Sequence, residues 1–432
     1  MKKALSILLI LALICVPLAA CGGNTAPPAG GNDPAPPAGG NDPAPPAGGN
    51  DPAPPAGGDV RDVHLTMWGG EFDQVLLRAM SDAFIAHYAN EANITITIGV
   101  ESESSAKDTI LIDPQAAADV FATVDDQLNE LYNAGALQEV LENADAIKAA
   151  NLDLAVNAAT INGKLMGWPM TSDNGHIMFY NKEYLNESQV GSWESMIEVA
   201  EGLGKKVSMD IGNSWWNVGF FRGAGLDFWL GADGVSTETN VNQAGGADVV
   251  QAMIDLATNP NFVALGGDEY FAGMVDGSII AIIDGPWRTE DLLNALGDNL
   301  GVAKLPTFTL NGSQVQMGGV LGSKIVGVNG FSQETGWAMR LADWITNEEN
   351  QMIRFTDRHQ GPSNRVVASS AAVQADLVLS AIAIQAQFSA SFIPGGNYWG
   401  PAGALAGIIV DGNPDNIPLQ DLLDDTVAGI TG

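Results

Sequence analysis

Residues 161–185 read INGKLMGWPMTSDNGHIMFYNKEYL, two extended runs separated by a short polar interval. Asn162-Gly163 is a hairpin-type turn signal, and the runs at 165–169 and 176–180 follow it. Between them Thr171-Ser172-Asp173-Asn174-Gly175 is small and polar, a composition suited to a hinge rather than a core. Taken locally, an ordinary β-hairpin with a surface loop fits as well.

Working outward, Val63, Leu65 and Met67 alternate as a strand, and Ile94, Ile96 and Ile98 do so again. Leu76, Met80, Ala83 and His87 mark one face of a helix between them, which predicts a strand-helix-strand opening and an α/β class. Asp119-Val120-Phe121-Ala122 is a short buried strand, followed by Asp125-Asp126 and a helix. Further on, Ser192 caps a helix with inner face Trp193, Met196, Ala200 and Leu203, ended by Gly202 and Gly204. Strands are expected at 207–211 and 279–283, and Trp337, Leu341, Trp344 and Ile345 form a helical core stripe. From Asp59 onward there are about 370 residues, too many for one ordinary core and suited to two domains.

The first 58 residues differ in kind. Lys2 and Lys3, an apolar run at 4–16 and Leu18-Ala19-Ala20-Cys21 make an export signal at 1–20, too short for a convincing membrane span. Its end resembles a bacterial lipoprotein lipobox, which implies cleavage before Cys21 and a lipid anchor on that thiol. Cys15 leaves with the leader, so no thiol remains for a disulfide or a thiolate metal site. Residues 21–58 repeat GGNDPAPPA three times; proline favours extended backbone and paired glycines stay flexible, so a stalk rather than a packed core is expected. It would reach about 115 Å fully extended.

The chain carries 18 Lys and Arg against 51 Asp and Glu, a formal charge of -33 before the leader is lost. Such a surface repels phosphate backbones, so no nucleic acid is expected as a partner. His64, His87, His176 and His359 are scattered without an HExxH, so neither a metal nor a catalytic histidine is expected. No GxxxxGK[ST] occurs, and the Gly-rich run at 318–322 is better read as strand than as phosphate cradle. With 51 acids, chance carboxylate pairs are certain, and none has a spacing that marks a glycosidase.

NGKL at 162–165, Trp168-Pro169 and FYNK at 179–182 stand in the order found in maltose- and maltodextrin-binding proteins of ABC importers, which the chain resembles from about Val63 to its C-terminus. A second block, GDEYFAGMVDGSIIAIIDGPW at 267–287 and GVAKLPTF at 301–308, is similar to the same family. The resemblance implies a two-lobed, periplasmic-binding-protein-like fold of type II with three crossings. Residues 59–172 and 319–372 would form the first lobe, and 173–318 and 373–432 the second. It implies a monomeric, extracytoplasmic, lipid-anchored binder that closes on maltose or maltodextrin-type oligosaccharides and delivers them to a permease, without catalysis or cofactor.

Sugars present hydroxyls that want bidentate polar partners and C–H faces that stack on aromatic rings. Trp68 ends the first strand, Trp215-Trp216 follow Gly212-Asn213-Ser214, Trp287 ends the GPW block, and Tyr398-Trp399 follow Gly395-Gly396. Taken singly, each fits core packing as well as ligand contact, whereas Trp193, Trp337 and Trp344 sit at core spacing. By the resemblance, Trp215 or Trp216, Trp287 and Trp399 match stacking positions, Asp126 a carboxylate after the DVFA strand, and Asp173 or Asn174 an acidic residue at the first crossing. Thr123 stands where the family has tryptophan, Gln127 near where it has a basic residue, and Gly403 where it has arginine. Glu71, Lys107 and Arg288 are further candidates. The same acids and aromatics would also suit a polyamine or other small cation, and a lipobox with a stalk would also suit a surface adhesin.

Overall fold

The computed structural model describes residues 60–432; the leader 1–20, Cys21 and the repeats to 58 lie outside the described residues. The strand Arg61–Gly69 runs parallel to Ala92–Val100, with Val63 opposite Ile94 and Leu65 opposite Ile96. Its alternation is that of a strand with one face on a core, and Val63, Leu65 and Met67 are all buried. Val120–Val124 adds on the other side in parallel, followed by Lys324–Val328 and Trp168–Pro169, both antiparallel, to make five strands.

The helix Gln74–His87 covers this sheet with Leu76, Leu77, Met80, Ser81 and Phe84. That corrects the expected stripe: Ala83 and His87 are exposed, because the buried line steps through Phe84. Phe84 packs on Tyr88 (4.8 Å between ring centroids) and Trp344 (5.9 Å), so the large ring rather than the neighbouring alanine sets the helix's rotation.

The second sheet has the order Phe262–Val263, Lys206–Ser208, Ile279–Asp284, Ile177–Asn181, Leu300–Ala303. Every residue of Ile279–Asp284 and of Ile177–Asn181 is buried; residues 177–180 alternate between two separate apolar clusters, and Ile279–Asp284 contributes to both. A sheet covered on both faces needs continuous apolar strands, which is why IIAII shows no alternation. The strand near 207 is shorter than expected, and the chain reaches Trp215 through a turn and a new helix, Ser214–Gly223. In the helix Trp193–Leu203, Ser192 accepts a hydrogen bond from the Ser195 N–H (3.2 Å), and Gly204 at φ 64° ends it. Leu203, at 49% exposure, does not join Trp193, Met196 and Ala200, because it falls in the last turn beyond the packed face.

Between the two sheets lies a third, small one. Asn174–Gly175 pairs antiparallel with Gly319–Gly322, which pairs in parallel with Ser389–Ala390. A Cβ on Gly175 would sit 2.7 Å from the Val320 carbonyl oxygen, so only glycine lets the crossing strands approach this closely. The chain passes between the sheets here twice, and a third time between the short helix Ala371–Gln374, on the first lobe's side, and Leu377–Gln385, which packs under the second sheet. The fold is therefore the two-lobed type II architecture with three crossings.

The polar interval at 171–175 is not a solvated loop. Thr171, Asp173 and Asn174 are buried, and the Ser172 N–H donates to the Gly361 carbonyl (2.9 Å) while the Gly361 N–H donates to the Asp173 carboxylate. Small polar side chains serve here because the crossing must satisfy its own backbone inside the joint.

Candidate functional site

The elements around the joint leave a cleft of about 620 Å³. On the first-lobe side, Asp126 sits in the turn Asp125–Gln127, Lys107 on the helix Ala106–Ile112 and Glu130 on Leu128–Asn133. Lys107 Nζ lies 3.0 Å from Glu130 Oε1 and 3.3 Å from Asp108. Gln127 faces the cleft too, held by Thr123 (3.0 Å) and by the Ser104 carbonyl. Asn174 comes from the crossing strand itself.

The opposite wall is aromatic. Trp215 and Trp216 open the helix Ser214–Gly223, whose cap Asn213 accepts the Trp215 N–H (3.0 Å). Their rings meet nearly at right angles, 4.6 Å apart, and Trp287 stands 6.0 and 6.1 Å from them. A Cβ on Gly285 would fall 2.1 Å from the Trp287 ring, so the glycine of GPW lets that ring fold back over the chain. Trp399 opens a helix further along, packed edge-on against Tyr398 (5.0 Å).

A second hollow of about 440 Å³ shares Ser104, Val124, Asn174 and Trp287 with the first, and adds Glu71, Asp73, Glu103, Lys324 and Arg358. A third, of about 380 Å³, shares Asp126 and Glu130 and reaches Gly395-Gly396-Asn397. Of the expected residues, Glu71, Asp126, Asn174, Trp215, Trp216, Trp287 and Trp399 line these hollows, as does Lys107. Trp68 does not: it packs against the first core, over the bare Cα of Gly99. Tyr398 is buried and donates its hydroxyl to the Ser214 carbonyl (3.1 Å). Asp173 is turned into the joint, and Arg288 is held by Asp284 (3.4 Å), Asp291 and Asp268 away from the cleft. Lys324, Glu103 and Asp73 are additions that no local pattern signalled.

Residues 83–380 match the family model described as bacterial extracellular solute-binding protein. The chain belongs to that family. Over 99% of its length it is 23% identical to the galactooligosaccharide-binding protein of Bacillus subtilis, covering 97% of that protein. Over 68% it is 23% identical to a maltooligosaccharide ABC transporter solute-binding lipoprotein of Streptococcus pneumoniae, covering 72% of it. A structure solved with acarbose, 29% identical, superimposes with a TM-score of 0.78 over 86% of this chain and 99% of the other. A maltodextrin-binding protein of L. casei solved without ligand, 25% identical, gives 0.73 over 86% and 99%.

Charge in this solute-binding protein's cleft is largely paired. Burial would lower the Lys324 ammonium, but Glu103 (3.2 Å), Asp73 and Asp173 together raise it, and it lies 5.5 Å from the Trp287 ring centroid. Burial likewise opposes the charge of Lys107, and Glu130 and Asp108 outweigh it. Burial pushes the Asp126 carboxyl up to about 7 in spite of Lys107. Asp125, beneath it, accepts the Ser323 N–H (3.2 Å) at the second crossing, and burial with Asp126 alongside pushes it up to about 8.

A carboxyl that keeps its proton when folded but loses it when unfolded costs stability as pH rises. For Asp125 the window runs from its unfolded value, about 4, to about 8. Asp125→Asn is therefore expected to gain on the unsubstituted protein steadily between about pH 5 and about pH 8, by at most about 1.4 kcal/mol per pH unit. Urea denaturation at several pH values measures this, and a difference that stays constant with pH would exclude a buried proton at Asp125.

Proposed function

We propose that this protein is the substrate-binding component of a carbohydrate ABC importer, taking oligosaccharides of maltodextrin type. The observation that carries the reading is the division of the cleft: Trp215, Trp216, Trp287 and Trp399 on one side, carboxylates and amides of Asp126, Gln127 and Glu130 on the other, and Asn174 at the joint. Such a pairing suits a ligand with apolar faces and a hydroxylated rim. The two curated relatives differ in the sugar they are named for; the acarbose-bound neighbour, at higher identity, favours the α-glucan-like class. Capture proceeds by rotation of the lobes about the crossing strands, which brings the walls together and expels water from the rings. The protein acts by binding, as a monomer, held to the membrane through lipid on Cys21.

A small-cation ligand is the second reading, favoured by the count of acids. The pairing of Glu130 with Lys107 and of Glu103 with Lys324 works against it, because those carboxylates already have partners.

Thermal denaturation of the full-length protein against maltodextrins, galactooligosaccharides, monosaccharides and polyamines tests the choice. A ligand present at roughly 100 times its Kd stabilises the fold by about 2.7 kcal/mol. Stabilisation by α-glucans alone supports the proposal; stabilisation by polyamines alone, or by nothing offered, overturns it.

A further inference from the structure

His176 is 2% exposed, and among the described residues neither ring nitrogen has a hydrogen-bond partner. A buried polar group left unmet normally costs stability, so what this side chain contributes must come from its ring. That ring stacks on Trp216 at 4.8 Å and 30° and meets Trp215 at 4.1 Å and 81°. The cleft side of both tryptophans is ligand wall, and His176 lies behind them. Its backbone position matters equally, since it follows directly on the crossing strand Asn174–Gly175 and precedes Ile177–Asn181 of the second sheet.

Arg222, the nearest charge, is committed elsewhere: to Asp227 (2.8 Å) and to the carbonyls of Gly319 (2.7 Å), Ala390 (2.8 Å) and Ser391 (2.9 Å). It therefore clamps two strands of the joint, Gly319–Gly322 and Ser389–Ala390, and leaves free the third, Asn174–Gly175, which leads into His176. Burial first, and Arg222 second, hold the imidazole down to about 3, so it is neutral in any ordinary buffer and acts as a flat ring, not a charge.

We propose that His176 is the positioning residue of the aromatic wall: it holds Trp215 and Trp216 perpendicular to each other and ties their setting to the first crossing between the lobes. The angle of the joint then sets the angle of the rings on which a ligand stacks. This rests on the oligosaccharide reading for its effect on affinity, but not for its effect on the rings.

The test compares His176→Ala, His176→Gln and His176→Phe in the full-length protein. The readouts are near-ultraviolet circular dichroism without ligand and titration with a maltodextrin series. Gln fills the volume without a ring; Phe restores a ring without nitrogens. Ala and Gln are expected to collapse the tryptophan bands while the far-ultraviolet spectrum is kept, and to weaken maltodextrin binding roughly tenfold, the effect of losing one or two ring contacts. Phe is expected to recover most of both. Unchanged near-ultraviolet bands in His176→Gln would overturn the proposal, as would a Phe variant no better than Gln, which would show that the nitrogens matter. Should the unsubstituted protein bind no oligosaccharide, the functional reading fails while the spectra still decide the role of His176.

Discussion

Trp287→Ala is expected to weaken oligosaccharide binding by about 2 kcal/mol or more, roughly 30-fold in Kd, the loss typical of a central aromatic anchor. Three observations set Trp287 apart from the other rings. It belongs to both the main cleft and the adjoining polar hollow, it stands about 6 Å from Trp215 and Trp216, and it lies under the Lys324 ammonium. Removing it deprives the ligand of a stacking face where the hollows meet and takes from Lys324 an aromatic neighbour. Gly285→Ala is the finer probe, because its new methyl would collide with the ring and tilt it without deleting it. Calorimetric titration of both variants with the ligand that stabilises the parent protein gives the answer. Full affinity in Trp287→Ala would mean that sugars do not stack at the centre of the cleft. Trp399→Ala, which removes a lining ring outside the Trp215, Trp216 and Trp287 cluster, should cost longer oligosaccharides more than short ones.

What local chemistry controls was legible in the chain. Asn162-Gly163 makes the turn it signals, with both residues at positive φ; Ser192 caps its helix, and Val63, Leu65 and Met67 face one core. The GPW tryptophan was placed by the family resemblance alone; what the structure adds is that Gly285, two residues before it, leaves room for the ring. Long-range partners left no such mark. Asp173 finds the Gly361 N–H 188 positions along the chain, which turns it inward and leaves Asn174 to face the cleft. Tyr398 and Trp399 are adjacent at the start of a helix, so their side chains diverge by about 100°, and only one of them can face the cleft. Nothing in the dipeptide says which. Trp68 looked like a ligand residue because it ends a strand; the absent side chain of Gly99, on the neighbouring strand, is what draws it down onto the sheet.

Asp73→Asn should be among the most destabilising single changes in the molecule, at about 3 to 5 kcal/mol, the usual result of removing one partner from a buried ion pair. Asp73 lies at the foot of the polar hollow, where its carboxylate accepts from Arg354 and has Arg358 Nε at 3.4 Å. The Arg354 side chain is 2% exposed and, among the described residues, its only other partner is Gln360, at 3.2 Å, so asparagine would leave a buried guanidinium without a counter-charge. Burial pushes Asp73 toward protonation, yet Arg354, Lys324 and Arg358 together hold its carboxyl below the ordinary value. Its stabilising share is therefore present above about pH 4 and is lost as the pH falls through its folded value, on the acid side of the Asp125 window and with the opposite slope. The two carboxyls together should give a stability maximum at about pH 4, where the two windows meet. Asp73→Asn should flatten the acid limb and Asp125→Asn the alkaline one. Urea denaturation across pH resolves the limbs, and an Asp73→Asn variant within about 1 kcal/mol of its parent at neutral pH would show that the arginines find other partners.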